Sequence, residues 1–101
     1  MTTTPTTPLD EAMERVLRLL GTARLQAADT PLAPDLEEVE LTIHEVLEFG
    51  DVNLPEPGIA TPHAALLAAE ETLDHLPKDQ RPLWLLPMRA ELAILRRRSV
   101  A

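Results

Sequence analysis

Apolar residues recur every three or four positions through most of the chain, in runs separated by segments rich in proline, threonine, aspartate and glycine. Leu9, Met13, Val16, Leu17, Leu20, Ala23 and Ala27 form the first row, with Glu11, Glu14, Arg15 and Arg18 on the opposite side. A period near 3.6 with one apolar stripe marks an amphipathic helix packed on a core. Thr7 and Pro8 supply its N-cap and first-turn proline. Glu11 with Arg15, and Glu14 with Arg18, are pairs four apart in the favourable order. Gly21 falls inside this helix at a cost of about 1 kcal/mol relative to alanine, which points to a close helix crossing or a bend.

The segment ADTPLAPD is turn chemistry, and Asp35 is placed to cap a second helix from Leu36 to Phe49 that stops at Gly50. Leu36, Val39, Ile43, Val46 and Leu47 make its inner stripe, and Glu37, Glu40, His44 and Glu48 the neighbouring flank. The following DVNLPEPGIATP is a long connection, either an excursion with a purpose or a mobile segment. Thr61 and Pro62 repeat the cap signature, starting a third helix over His63 to Leu76 with Ala65, Leu66, Ala69, Leu73 and Leu76 inward. His63, Glu70 and Asp74 share another flank of it. Asp79 is placed to cap a last helix that runs to Arg98, and Pro87 inside it predicts a bend, or a break at Leu86 or Pro87.

That last helix has two apolar rows. Leu85, Met88, Leu92 and Leu95 form one, Leu86, Ala90 and Ile94 the other, and Trp84 lies off both. A helix apolar on two sides is covered on two sides, so this one belongs at the centre of the fold or in a homodimer interface. The expected fold is all-α: a small four-helix, bundle-like domain over residues 9–98 with the last helix kinked near Pro87. A disordered tail precedes it over residues 1–8, polar and proline-punctuated, and residues 99–101 form a second tail.

Composition sharpens this picture in three ways. Phe49 and Trp84 are the only aromatic residues, so the core is aliphatic, which suits helices better than strands. At 101 residues there is room for one core. A net charge of −8 opposes binding to nucleic acid and to anionic membranes. No apolar run approaches the roughly 18 residues of a membrane span, and the N-terminal stretch lacks the basic and apolar regions of a secretion signal, so the expected location is the cytoplasm. The eight arginines against the single Lys78 suit a GC-rich bacterial genome.

Nucleophilic catalysis has little material. Cysteine and tyrosine are absent, Ser99 is the only serine, and the three glycines are isolated. Glu40, His44 and Glu48 stand four apart, and Glu71 and His75 repeat that spacing, so each set stacks on one helix flank. Inward Glu and His on facing helices hold metals in bundles, but an acidic chain also places such residues on solvated faces, and that is the expected reading here. Glu37 with Glu40, followed by Glu71 with Asp74, resembles the magnesium-binding pattern of the all-α nucleotide pyrophosphohydrolases of the MazG-like superfamily. That resemblance implies two carboxylate pairs on neighbouring antiparallel helices holding Mg²⁺ against substrate phosphates, with the metal polarising a phosphoryl oxygen and orienting water.

A second resemblance lies in LTIHEVLEF, HLPKDQRP and the closing MRAELAILRRR, over residues 36–98. Their order is similar to that of small all-helical proteins of actinomycetes, some associated with natural-product biosynthesis. It implies no reaction. The function expected from the residues is that of a non-enzymatic accessory or regulatory protein acting through protein contacts, as a homodimer or in a larger assembly, with the Mg²⁺-dependent pyrophosphohydrolase as alternative. Trp84, as an exposed anchor, with Leu86, Ala90 and Ile94, is the expected contact surface, and Pro55 to Ile59 a second one. Arg96, Arg97 and Arg98 stabilise the helix C-terminus or form a patch for an acidic partner.

Overall fold

The computed structural model describes residues 8–46 and 57–99. Among the described residues four α-helices follow one another: α1 Pro8–Gln26, α2 Leu32–Val46, α3 Pro62–Asp74 and α4 Leu85–Arg98, with a 3-10 turn, Lys78–Gln80, ahead of α4. Among the described residues there is no strand, and no helix is long and apolar enough to cross a membrane. The all-α expectation holds.

Local chemistry sets the helix ends. Thr61, extended at φ −139° and ψ 156°, accepts the Ala64 amide on its side-chain oxygen at 3.1 Å, and Pro62 opens α3 with the backbone angle a helix needs. Replacing Thr61 by alanine leaves that amide without a partner, so urea unfolding should show a loss of about 1 kcal/mol.

Two other starts differ from expectation for one shared reason. α2 begins at Leu32, ahead of Asp35, and α4 begins at Leu85 rather than at Asp79. Pro34 and Pro87 each occupy the third position of their helix. The first amides of a helix have no partner within it, so proline there removes nothing. Around Pro87 the chain therefore makes a fresh start, with the Leu85 and Leu86 amides bonded to the Pro82 and Leu83 carbonyls, in place of a kink inside one long helix. The Thr7 cap, the second helix's end at Phe49 and Gly50, and Leu47 lie outside the described residues.

α1 packs on both α2 and α3, and α4 packs on the same two helices from the other side. α2 and α3 thus occupy diagonal corners. The end of α1, the starts of α2 and α3 and the end of α4 all meet at one end of the bundle, where Gln26, Leu32, Pro62 and Ser99 line one depression and Gln26 donates to the Ile59 carbonyl at 3.0 Å. Every packed neighbour is therefore antiparallel, while α2 and α3 run parallel. Residues 47–56 of the long connection between α2 and α3 lie outside the described residues.

The core is the aliphatic one the periodicity indicates. Met13, Val16, Leu17 and Leu20 of α1 meet Leu36 and Ile43 of α2, Leu66 and Leu73 of α3, and Leu92 and Leu95 of α4, all nearly inaccessible to solvent. Gly21 is buried within the unbroken α1. Val46, expected inward, is exposed at the end of α2.

Candidate interaction surface

α4 is fastened to the bundle through three of its arginines. Glu70, on α3, has only 3% of its side chain accessible, and its two oxygens are held by Arg89 at 2.5 Å and by Arg96. Arg89 also reaches Asp74 in a two-pronged contact, Nε to Oδ1 at 2.9 Å and Nη2 to Oδ2 at 3.0 Å. The planar guanidinium fork fits a carboxylate in this way, and both bonds are charge-assisted. At the far end of α4, Arg98 meets Asp35 of α2 at 2.5 Å. Arg96 thus meets the buried Glu70 and Arg98 the half-exposed Asp35, and of the closing arginines Arg97 is the one without a partner among the described residues.

This fastening fixes which side of α4 faces outward. Leu85, Met88, Leu92 and Leu95 point into the core, while Leu86 (65% accessible), Ala90 and Ile94 (48%) form an exposed row along the outer face. Leu83, just ahead of the helix, is 85% accessible and extends the apolar surface. Exposed leucines occur singly on any protein, and Leu25, Leu41 and Leu67 are such cases on other helices. A row at four-residue spacing on one helix is different.

Trp84 does not join that row. It is half-buried against the core, turned toward α2, where it lines a groove of about 220 Å³ with Val39, Val46, Pro87 and Met88. The tryptophan is thus one wall of that groove between α2 and α4, partly buried, and not the fully exposed residue expected. The groove is smaller than the roughly 300–1,000 Å³ of sites that enclose a small molecule. Ile59 likewise packs against the core, and Pro55 lies outside the described residues. Sequence reasoning missed Leu83, because it stands outside the helical period.

The acidic candidates are dispersed. Glu40 accepts from Arg24 of α1, Nε at 2.6 Å and Nη2 at 3.4 Å. Hydrogen bonding to the Glu40 carboxylate holds Arg24 above its ordinary pKa, against the opposing effect of burial. Glu37 is exposed close to that pair. Glu71 is exposed, and its carbonyl accepts from His75 Nδ1 at 2.6 Å, which makes His75 a cap on the end of α3. His63 Nδ1 lies 3.3 Å from the Ser99 hydroxyl, which itself donates to the Arg96 carbonyl. His44 is exposed and Glu48 lies outside the described residues. Among the described residues no three His, Asp or Glu side chains come together as a metal would require. Glu37 and Glu40 sit on one diagonal helix and Glu71 and Asp74 on the other.

Arg89 also shapes the response to acid. Its hydrogen bonds hold Asp74 below the ordinary carboxylate pKa, and the Asp74 carboxylate raises Arg89. A carboxyl depressed in the folded state contributes stability above its unfolded pKa, about 3.9, and loses that contribution as pH falls through the lower folded value. Asp74→Asn should therefore flatten the fall of the urea midpoint below about pH 4. Half-exposure of Asp74 keeps the effect small.

The fold and this surface define a small all-α, four-helix domain with an apolar outer row on its last helix. Comparison with protein-family models, with curated proteins and with solved structures finds no match to this chain.

Proposed function

We propose that the chain is a non-enzymatic accessory or regulatory protein of the cytoplasm that acts through protein contacts and pairs reversibly with itself. The observation that carries this reading is the exposed row Leu86, Ala90 and Ile94, extended by Leu83, on a helix whose opposite face already completes the core. Among the described residues no buried side-chain nitrogen or oxygen lacks a partner, and the core side of α4 is filled by Leu85, Met88, Leu92 and Leu95. An apolar row concentrated on one helix face is the surface such a contact would use.

The carboxylates support the same reading over a Mg²⁺-dependent pyrophosphohydrolase. Glu40 and Asp74 are engaged by Arg24 and Arg89, on helices that run parallel at diagonal corners. Thermal melts at two well-separated protein concentrations, with and without Mg²⁺, Mn²⁺ and Zn²⁺, test the choice. Self-association stabilises by mass action, about 2.7 kcal/mol at a hundredfold excess over Kd, so the midpoint should climb several degrees with protein and ignore metal. A midpoint that follows Mg²⁺ and ignores protein concentration would return Glu37, Glu40, Glu71 and Asp74 to the role of metal ligands.

A further inference from the structure

The groove between α2 and α4 is apolar inside and acidic at its edges. Val39, Val46, Trp84, Pro87 and Met88 supply the apolar lining, and Glu91 lines it as well. Thr42 marks its α2 edge, and Glu38 and Glu45, four residues before and three after Thr42, share that flank of the helix. All three glutamates are exposed, and their carboxylates have no ion-pair partner among the described residues. Glu40, Glu70 and Asp74, by contrast, are each held by arginine. The arginines of α4 nearest in sequence to Glu91 are engaged away from this edge: Arg89 and Arg96 meet Glu70, and Arg98 meets Asp35.

We infer, resting on the reading that the chain acts through protein contacts, that this groove docks a basic amphipathic segment of another protein. An apolar side chain of the segment sits against Trp84 and Met88, and its lysines or arginines stand beside Glu38, Glu45 and Glu91. Size and charge choose that occupant. A volume of about 220 Å³ is short of what encloses a small molecule but admits a side chain carried on a partner. The lining offers no cation to an anionic ligand, and a net charge of −8 repels an acidic partner and draws in a basic one. Indole surface suits a basic residue twice over, since it covers the apolar stem and attracts the charged head. The acidic edge then governs the encounter rate and its salt dependence, while the apolar lining holds the segment in place.

Trp84 is the only tryptophan and tyrosine is absent, so the fluorescence of the unaltered chain reports on the groove itself. The probes are synthetic peptides of about fourteen residues, four helical turns, without aromatic side chains. One has leucine and lysine at helical spacing, the second has glutamate for each lysine, and the third has serine for each leucine. Titrated into dilute protein, the leucine and lysine peptide should move the Trp84 emission to shorter wavelength and saturate. Its Kd should weaken about tenfold in Glu91→Lys, and again in about 1 M salt, where screening acts within about 3 Å. Asp29→Lys, in the turn between α1 and α2, makes the same change of net charge elsewhere and should alter Kd by less than about twofold. The two control peptides should leave the emission unchanged. No saturable shift with the leucine and lysine peptide, an equal shift with either control, or equal weakening by Asp29→Lys and Glu91→Lys would overturn the assignment. The melts described above contain no peptide and test contacts between copies independently. A silent titration beside a melt that depends on protein concentration removes the groove alone, and silence in both removes the protein-contact reading with it.

Discussion

Replacing Glu70 by alanine should lower the unfolding free energy by about 3 kcal/mol, the lower end of the range for breaking a buried ion pair. In a domain of this size that corresponds to a fall in Tm of more than 10 °C. The carboxylate is almost wholly enclosed and takes bonds from Arg89 and Arg96 at once. Its removal leaves two guanidiniums facing a gap. Arg89 retains Asp74, but Arg96 has no second carboxylate among the described ion pairs. The arginines keep about a third of their side-chain surface in water, which is why the loss falls at the low end. Glu70→Gln preserves shape and one acceptor while discarding the charge, so it should lie between the two. Paired urea and thermal unfolding of both variants checks the order, and a loss under about 1 kcal/mol for Glu70→Ala, the range of surface pairs, would show that the clamp is solvated.

The second large effect separates two residues on one helix. Leu92 is fully buried at the meeting of the four helices, and Leu92→Ala should cost about 2–5 kcal/mol from lost burial and the cavity left behind. Ile94, two positions on, faces solvent, and Ile94→Ala should change the stability of the dilute protein by no more than about 0.5 kcal/mol. The same Ile94→Ala should weaken self-association at high concentration. A cost at Ile94 comparable to that at Leu92, in dilute protein, would mean that the outer row is required for folding of the single chain.

The features legible in the sequence were those with local causes. Helical period placed Leu66, Leu73, Leu92 and Leu95 in the core because an amphipathic helix has one way to bury its stripe. The Thr61 cap was readable because its partner lies three residues away. The second row of α4 was also readable as apolar, and the structure adds that it faces outward. What escaped depends on how helices are arranged. The spacing of Glu70 with Asp74 puts both on one flank, but only the packing of α3 against α4 brings Arg89 and Arg96 to them. Likewise the carboxylates of α2 and α3 follow each other in sequence, yet both helices pack on α1 and on α4, which sets them on diagonal corners. The partial burial of Trp84 was not readable because one residue outside the helical period carries no directional signal, and the groove it lines is completed by α2.

Self-association through the outer face of α4 is the claim on which the functional reading rests. Sedimentation equilibrium of the unaltered chain and of Leu86→Lys, from low micromolar to near-millimolar concentration, tests it most directly. The mass of the unaltered chain should rise from that of one chain toward two as concentration increases, while Leu86→Lys, folded by circular dichroism, stays at one. An unaltered chain that remains single at the highest concentration, or a Leu86→Lys variant that dimerises as well as its parent, would contradict the account.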